Sequence, residues 1–271
     1  MPSSRTIFLD VDGTILAGAD RIAPSTIDAI RAARARGHQV FLCTGRSASD
    51  ISPAVADIGF DGAITNSGAF AIRDGELILS RTMTRADAER LIDFFRGHGM
   101  EFFLQANEGV YASDGAHAMV TSGRDDADKD SEPAPVIRHR PLAEADLSSI
   151  AKASFASADP DGLTLAQTEL GDRFHVISGS IPLPGGSNGE ASLHGTNKGT
   201  AITHVMDALG LDQPTSVGIG DSWNDVEMFD VVGTSVAMGN ADPELQRLAD
   251  RVTTAVLDDG VWNAFSELGL L

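Results

Sequence analysis

The run IFLDVDGT at residues 7–14 restricts this chain more than any other stretch. Ile7, Phe8 and Leu9 form a short apolar segment suited to a buried strand, and Gly13 with Thr14 supplies the turn that ends it. Asp10 and Asp12 are then expected at the C-terminal mouth of that strand, on one side of the backbone, because side chains alternate along a strand. Two carboxylates that close repel, so the arrangement calls for a cation, a shared proton or a phosphoryl group between them.

From this strand onward, strand-like segments (residues 6–9, 39–43, 62–65) alternate with helix-like ones (24–36, 47–58). That is the βαβ rhythm of an open parallel sheet. Ser25 after Pro24 reads as helix-start chemistry, and Gly37 after Arg36 as stop chemistry. Near Met83 the pattern changes to an amphipathic helix (86–96), short strands (101–105, 109–112, 174–178) and a further helix (143–156). The βα rhythm returns with a helix at 198–209, a strand at 216–219 and a helix at 222–231. The predicted fold class is α/β: an open, mostly parallel Rossmann-like sheet with helices on both faces, plus an inserted α+β domain. The expected division is a split core of residues 1–82 and 193–271 with an insertion at 83–192. Phe94, Phe95, Phe102 and Phe103 are expected to form the core of the insertion.

Two stretches interrupt the middle. Residues 122–135 carry Asp125, Asp126, Asp128, Asp130 and Glu132 and read as an exposed loop; the glycine and ligand spacing of a calcium loop are missing. PLPGGSNG at 182–189 reads as a surface turn.

The formal net charge of -19 repels nucleic acid and anionic membranes, and no basic cluster offsets it. No apolar stretch is long enough to span a bilayer, and MPSSR leads into the first strand without the apolar region of a secretory signal. A single cysteine, Cys43, makes an intrachain disulfide impossible and suits a reducing cytoplasm. The expected partner is a small molecule, with no nucleic acid and no membrane, and the chain is expected to act as a monomer or homodimer.

Three further segments carry chemistry. SVGIGDSWNDVEMF, residues 216–229, puts Asp221 and Asp225 after a second strand, with Gly220 letting the backbone turn closely. One such acid is an ordinary helix cap. Paired acids on two strand ends far apart in sequence are harder to explain so, because neighbouring C-terminal strand ends of a parallel sheet converge on one crevice. Carboxylates gathered there make a hard-oxygen site suited to Mg²⁺. VFLCTGRS, residues 40–47, ends another strand with Thr44, Gly45 and Arg46, whose hydroxyl and backbone amides suit a phosphate oxygen, while Cys43 inside the apolar run reads as core filler. TNKGTAI, residues 196–202, places Lys198 at a helix start, as a point charge for the carboxylates and for a phosphoryl oxygen.

Taken in order, DVDGT, CTGR, Lys198 and GDSWND resemble the four motifs of the haloacid dehalogenase-like hydrolases. The tail, from Lys198 through VAMGNADPELQRLADRVT to DDGVW, is similar to the Cof-like branch of sugar-phosphatase type, which carries a large α/β cap after the third core strand. The resemblance implies a phosphoric monoester hydrolase with Asp10 as nucleophile, through an aspartyl-phosphate, and Asp12 as general acid and base. It implies Mg²⁺ on the Asp10 carboxylate, the Asp12 main-chain carbonyl and Asp221. Thr44, Gly45, Lys198 and Asn224 would hold phosphoryl oxygens, with Asp225 orienting Lys198 or a metal water from behind. Arg46 would reach the substrate or pair with a cap acid. By the same resemblance, the acid at Asp12 implies phosphatase chemistry, with a small phosphorylated metabolite, a sugar phosphate first, as the expected substrate. Two other readings are a phosphosugar mutase and a non-catalytic phospholigand sensor. The family's usual Asn-Gly-Ala turn is replaced here by TNSGAF, with Ser67 before Gly68.

Overall fold

The computed structural model of the protein describes residues 4–18, 20–116, 139–179 and 186–271. The chain divides into two compact units, Met1–Arg46 with Ile51–Ser80 and Asn197–Leu271 in the first, and Ser47–Asp50 with Arg81–Thr196 in the second. In chain order the first unit contributes β1 (Thr6–Leu9), β2 (Gln39–Cys43), β3 (Gly62–Thr65), β4 (Phe70–Arg73) and β5 (Glu76–Ser80). The second contributes β6 (Glu101–Gln105), β7 (Val110–Ala112), β8 (Arg140–Pro141), β9 (Lys152–Ser157), β10 (Phe174–Ser178) and β11 (Ser187–Leu193). The chain then returns to the first with β12 (Val217–Gly220), β13 (Thr234–Ala237) and β14 (Arg251–Val252).

The first sheet runs β14-β13-β12-β1-β2-β3-β4-β5. It is parallel from β14 to β3 and antiparallel from β3 to β5. β1 lies inside it, buried on both faces, which is why its sequence is continuously apolar rather than alternating. Ile7 and Leu9 pack on one side with Val40, Leu42, Ile219 and residues of the Pro24–Ala35 and Gly260–Glu267 helices. Phe8 packs on the other with Phe41, Ile64, Met228 and the Lys198–Leu209 helix. Each fully buried side chain of this size contributes roughly 1.5–3 kcal/mol of transfer free energy, so both faces hold β1, and the polar residues just beyond it, in a fixed place.

The second sheet runs β10-β11-β9-β6-β7-β8 and is antiparallel except for the short β7–β8 pair. The Arg85–Gly97 and Gly162–Leu170 helices cover one of its faces, where Phe95, Phe102, Leu104, Phe155 and Phe174 meet. Phe94 is partly buried against that cluster, whereas Phe103, one residue on from Phe102, joins a separate cluster with Val110 and Ala112. The four phenylalanines are thus core residues of two faces rather than one, as alternation along β6 requires.

Several expected elements differ. The helix expected at 143–156 is a short 3-10 turn, Leu142–Glu144, followed by β9. Small, alanine-rich side chains hide the period-two pattern there, in which Ala153 and Phe155 face the helices. The Gly162–Leu170 helix and strands β4, β5 and β11 were not foreseen; β11 reads SNGEASL, too polar to announce itself as a strand. Residues 47–58 and 222–231 form pairs of short turns, Ala48–Asp50 with Pro53–Ala56 and Trp223–Asp225 with Val226–Phe229, instead of continuous helices. Pro53 accounts for the first interruption, since it starts a new helical turn capped by Ser52. Ser25 is not the cap of its helix: Ala23 holds that position, Pro24 is the first helical residue, and Ser25 Oγ donates to Asp259 at 2.6 Å. The acidic segment at 122–135 and residues 182–185 of PLPGGSNG lie outside the described residues.

Candidate active site

Strands β1 and β12 are parallel neighbours with Leu9 opposite Ile219, so Asp10 and Asp221, just past their C-terminal ends, emerge at one sheet edge. The Asp10 N–H donates to the Ile219 carbonyl at 2.9 Å, continuing the ladder by one residue. Asp10 is 3% exposed and Lys198 1%. Lys198 Nζ donates to Asp10 Oδ1 and to Asp225 Oδ1, at 2.5 Å in each case. The lysine is placed by its helix start: Asn197 accepts from the Thr200 N–H at 2.8 Å in a capping box. Gly68, at φ +101°, lets the turn after β3 press against this start, because a Cβ there would collide with the Asn197 carbonyl.

The second Asp225 oxygen accepts from the Asp221 and Ser222 N–H groups at 3.0 and 3.1 Å. Asp225, not Asp221, is therefore the capping acid, and its two oxygens are occupied. Asp221 is held more loosely. Thr14 Oγ1 donates to it at 3.5 Å and Asn240 Nδ2 at 3.4 Å, both long contacts. One oxygen from each of Asp10, Asp221 and Asp225 can be chosen so that all lie within 4.8 Å of one another. Gly13 makes this closeness feasible: at φ +85° a Cβ would overlap the Asp221 carboxylate.

The electrostatics follow from crowding. Burial, reinforced by Asp225, pushes the Asp221 carboxyl up to about 7. Burial also pushes Asp10 well above the usual carboxylate range, against the opposing pull of Lys198. For Lys198, burial favours the neutral amine, but Asp10 and Asp225 together outweigh it, so the group stays charged. Cys43 is buried, and burial pushes its thiol up, which leaves it inert as the sequence suggested.

Asp12 has a different environment from Asp10. Its side chain is 52% exposed and both oxygens are gripped by Arg46, Nε to Oδ2 at 2.8 Å and a terminal nitrogen to Oδ1 at 2.5 Å. Arg46, expected to reach substrate or a cap acid, thus holds the acid two residues beyond Asp10. Thr44 is buried after β2; its Oγ1 accepts from the Arg46 N–H at 3.1 Å and its carbonyl from the Ser67 N–H at 3.1 Å. Gly45 lies between them in the same turn. Asn224 sits on the Trp223–Asp225 turn, with Oδ1 accepting from Ser222 Oγ at 3.0 Å. The structure therefore brings Asp10, Lys198, Asp221 and Asp225 into one cluster and pairs the exposed Asp12 with the half-buried Arg46. Thr14, Asn66 and Asn240 were not singled out from the sequence. Asn66, fully buried at φ +49°, has no partner for either side-chain polar atom among the described residues. Nothing in the local pattern of a lone asparagine distinguishes these roles from those of any turn residue.

The model of the haloacid dehalogenase-like hydrolases matches residues 7–265. Among curated relatives, YkrA of Bacillus subtilis is 29% identical over 99% of this chain and 99% of its own length. The pyridoxal phosphate phosphatase YbhA of Escherichia coli is 27% identical over 92% of this chain and 93% of its own. Among solved structures, the subclass IIB sugar phosphatase BT4131 superposes with a TM-score of 0.81 at 21% identity, covering 99% of this chain and 100% of that one. No helix among the described residues is long and apolar enough to cross a membrane. The chain belongs to the haloacid dehalogenase-like hydrolases and has the fold of their capped subclass IIB members.

Proposed function

We propose that the protein hydrolyses a small phosphomonoester, a sugar phosphate first among candidates, through a phosphorylated Asp10. The observation that carries this reading is the buried lysine shared by two carboxylates, with Asp221 beside them and no second described cation among them. Three acids around one ammonium leave negative charge that a dication or phosphoryl transfer chemistry would use.

The residues fit a hard cation. The Asp225 oxygens are occupied by Lys198 and two backbone amides, so Asp225 acts as an orienter. Asp221 makes only long contacts and keeps lone pairs for a ligand. The Asp10 and Asp221 carboxylates with the Asp12 main-chain carbonyl would hold Mg²⁺. Bound there, Mg²⁺ would neutralise charge on the phosphoryl oxygens as the group moves.

An Asp10 oxygen bonds to phosphorus as the bond to the leaving oxygen breaks. Asp12 gives that oxygen its proton, releasing an alcohol and leaving the aspartyl-phosphate. Asp12 then takes a proton from the water that attacks phosphorus, which frees phosphate and restores Asp10. Since Arg46 occupies both Asp12 oxygens, it must release at least one of them during turnover. Lys198 and the Thr44 hydroxyl, with the Gly45 amide and Asn224, are the groups for the phosphoryl oxygens.

The sugar-phosphate preference is supported by the likeness to BT4131, and pyridoxal phosphate by the likeness to YbhA. The test is phosphate release with Mg²⁺ from p-nitrophenyl phosphate, sugar phosphates and pyridoxal phosphate. Wild type should release stoichiometric phosphate and Asp10→Asn none. Transfer that needs an activating bisphosphate and frees little phosphate would instead identify a mutase. No turnover of any ester would sink the enzymatic reading.

A further inference from the structure

The loop after β13 reaches the cation cradle through one side chain. Its backbone is tied down on several sides: the Met238 N–H donates to the Gly220 carbonyl at 2.9 Å and the Gly239 N–H to the Thr254 carbonyl at 3.0 Å. Gln246 Nε2 lies within hydrogen-bond distance of the carbonyls of Met238, Gly239 and Ala241, at 3.2, 3.1 and 3.2 Å. From this anchored loop the Asn240 amide nitrogen donates to the Gly13 carbonyl at 2.9 Å and to Asp221 Oδ2 at 3.4 Å. Its oxygen accepts from the Val256 N–H at 2.9 Å. With the oxygen on a backbone donor, the two amide hydrogens are left for the two acceptors, so the orientation of the group is set by its partners.

We propose that Asn240 is a positioning residue for the divalent cation, holding the turn after β1 and the Asp221 carboxylate in register with each other. The two pieces it joins come from opposite ends of the chain, and the parallel pairing of β1 and β12 sets only their backbones side by side. The Asp12 carbonyl and the Gly13 carbonyl belong to consecutive peptides, so fixing the second restricts the rotation of the first. The contact to Asp221 is long. It aims the carboxylate without consuming the lone pairs a cation would take. Thr14 does the same for the other Asp221 oxygen from the β1 side.

This inference rests on the proposed Mg²⁺ site, so the experiment separates the two. Metal-free full-length protein is titrated calorimetrically with Mg²⁺ alone, for wild type, Asn240→Ala, Asn240→Ser and Asp221→Asn, with metal-free thermal melting recorded for each. Wild type should bind and Asp221→Asn should not. Asn240→Ala should bind roughly 10–100-fold more weakly, the size expected for removing a group that orients a metal ligand. Its metal-free melting should fall only slightly, from the hydrogen bonds lost to Gly13 and Val256, and its KM for the ester at saturating Mg²⁺ should be unchanged. Asn240→Ser, which keeps a small polar group in the loop, should lie between the two. Wild-type affinity in either folded Asn240 variant overturns the inference. So does weakening that only tracks a loss of metal-free stability, or failure of both variants to fold, since each would make Asn240 a loop anchor. No Mg²⁺ binding by wild type, or undiminished binding by Asp221→Asn, sinks the metal reading itself and this inference with it.

Discussion

In the first unit three carboxylates, Asp10, Asp221 and Asp225, gather around one ammonium, Lys198, whereas in the second Lys152 and Glu190 pair at 2.8 Å across β9 and β11. Lys198, Asp10 and Asp225 are nearly closed to water, with Asp221 half-buried beside them, and Lys152 and Glu190 are 4% and 8% exposed. The two arrangements differ in balance. A buried pair of opposite charges roughly recovers its desolvation cost and is compatible with a purely structural role. An excess of buried carboxylate does not recover it within the protein, and calls for a proton, another cation or a reacting group. The imbalance, rather than burial or charge alone, is the reason for placing the proposed chemistry in the first unit.

The sharpest way to break this comparison is to remove one partner from the first cluster and both from the second. Lys198→Met leaves Asp10 and Asp225 buried without their counter-ion and should cost about 3–5 kcal/mol in urea unfolding. The double variant Lys152→Met, Glu190→Leu should be neutral or more stable by roughly 1–4 kcal/mol. A loss in the double variant as large as that of Lys198→Met would show that the second pair is not a dispensable structural one.

A smaller effect is expected at Gly13. Gly13→Ala places a side chain at φ +85° and drives its Cβ into the Asp221 carboxylate. Backbone strain should cost about 1–2 kcal/mol, and calorimetric Mg²⁺ binding should be lost as Asp221 is displaced. Gly37→Ala, at φ +88° with nothing within 4 Å of the added carbon, should show the strain alone. Mg²⁺ binding by Gly13→Ala equal to that of Gly37→Ala would refute the close approach as a determinant of the cradle.

The smallest effects concern acid stability, where the units are expected to behave alike. In the first unit burial opposes ionisation of Asp61, but the Arg34 guanidinium at 2.9 and 3.0 Å and the Val40 N–H at 2.8 Å hold its carboxyl below the usual range. In the second, Arg173 foremost, with Thr84, holds Asp87 well below it. Both folded values lie under the unfolded one. Their stabilisation is therefore fully present above the unfolded carboxylate pKa of about 4 and is lost as pH falls through the folded values. Asp87→Asn should make the acid limb of a urea-midpoint profile shallower, by under about 1 kcal/mol because Arg173 is exposed. A steeper limb in that variant would contradict the sign.

How much of this could be read in advance varies by element. β1, β2 and β3, the Lys198–Leu209 helix and the acids at the ends of β1 and β12 were legible, because buried parallel strands are continuous apolar runs and their termini are punctuated by glycine. Strand β4, the edge strand β5 and the polar β11 were not, since pairing with neighbouring strands holds each of them rather than an apolar pattern of its own. The helix expected at 143–156 failed because alanine and serine carry little periodic signal, and the strand β9 forms there through its partners β6 and β11. The pairing of Arg46 with Asp12 was not foreseen, because only side-chain reach across a turn brings the two together.

The sequence by itself determined the kinds of group available, two acids after one strand, two after another, a lysine at a helix start, and the α/β alternation that carries strand ends to a common edge. Tertiary structure decided the division of labour among them. It set Asp225 behind Lys198, left Asp221 loosely held, put Asp12 on Arg46 at the surface, and enlisted Asn240. These are matters of distance between residues remote in sequence, and such distances are set by packing on both faces of β1 rather than by any local pattern.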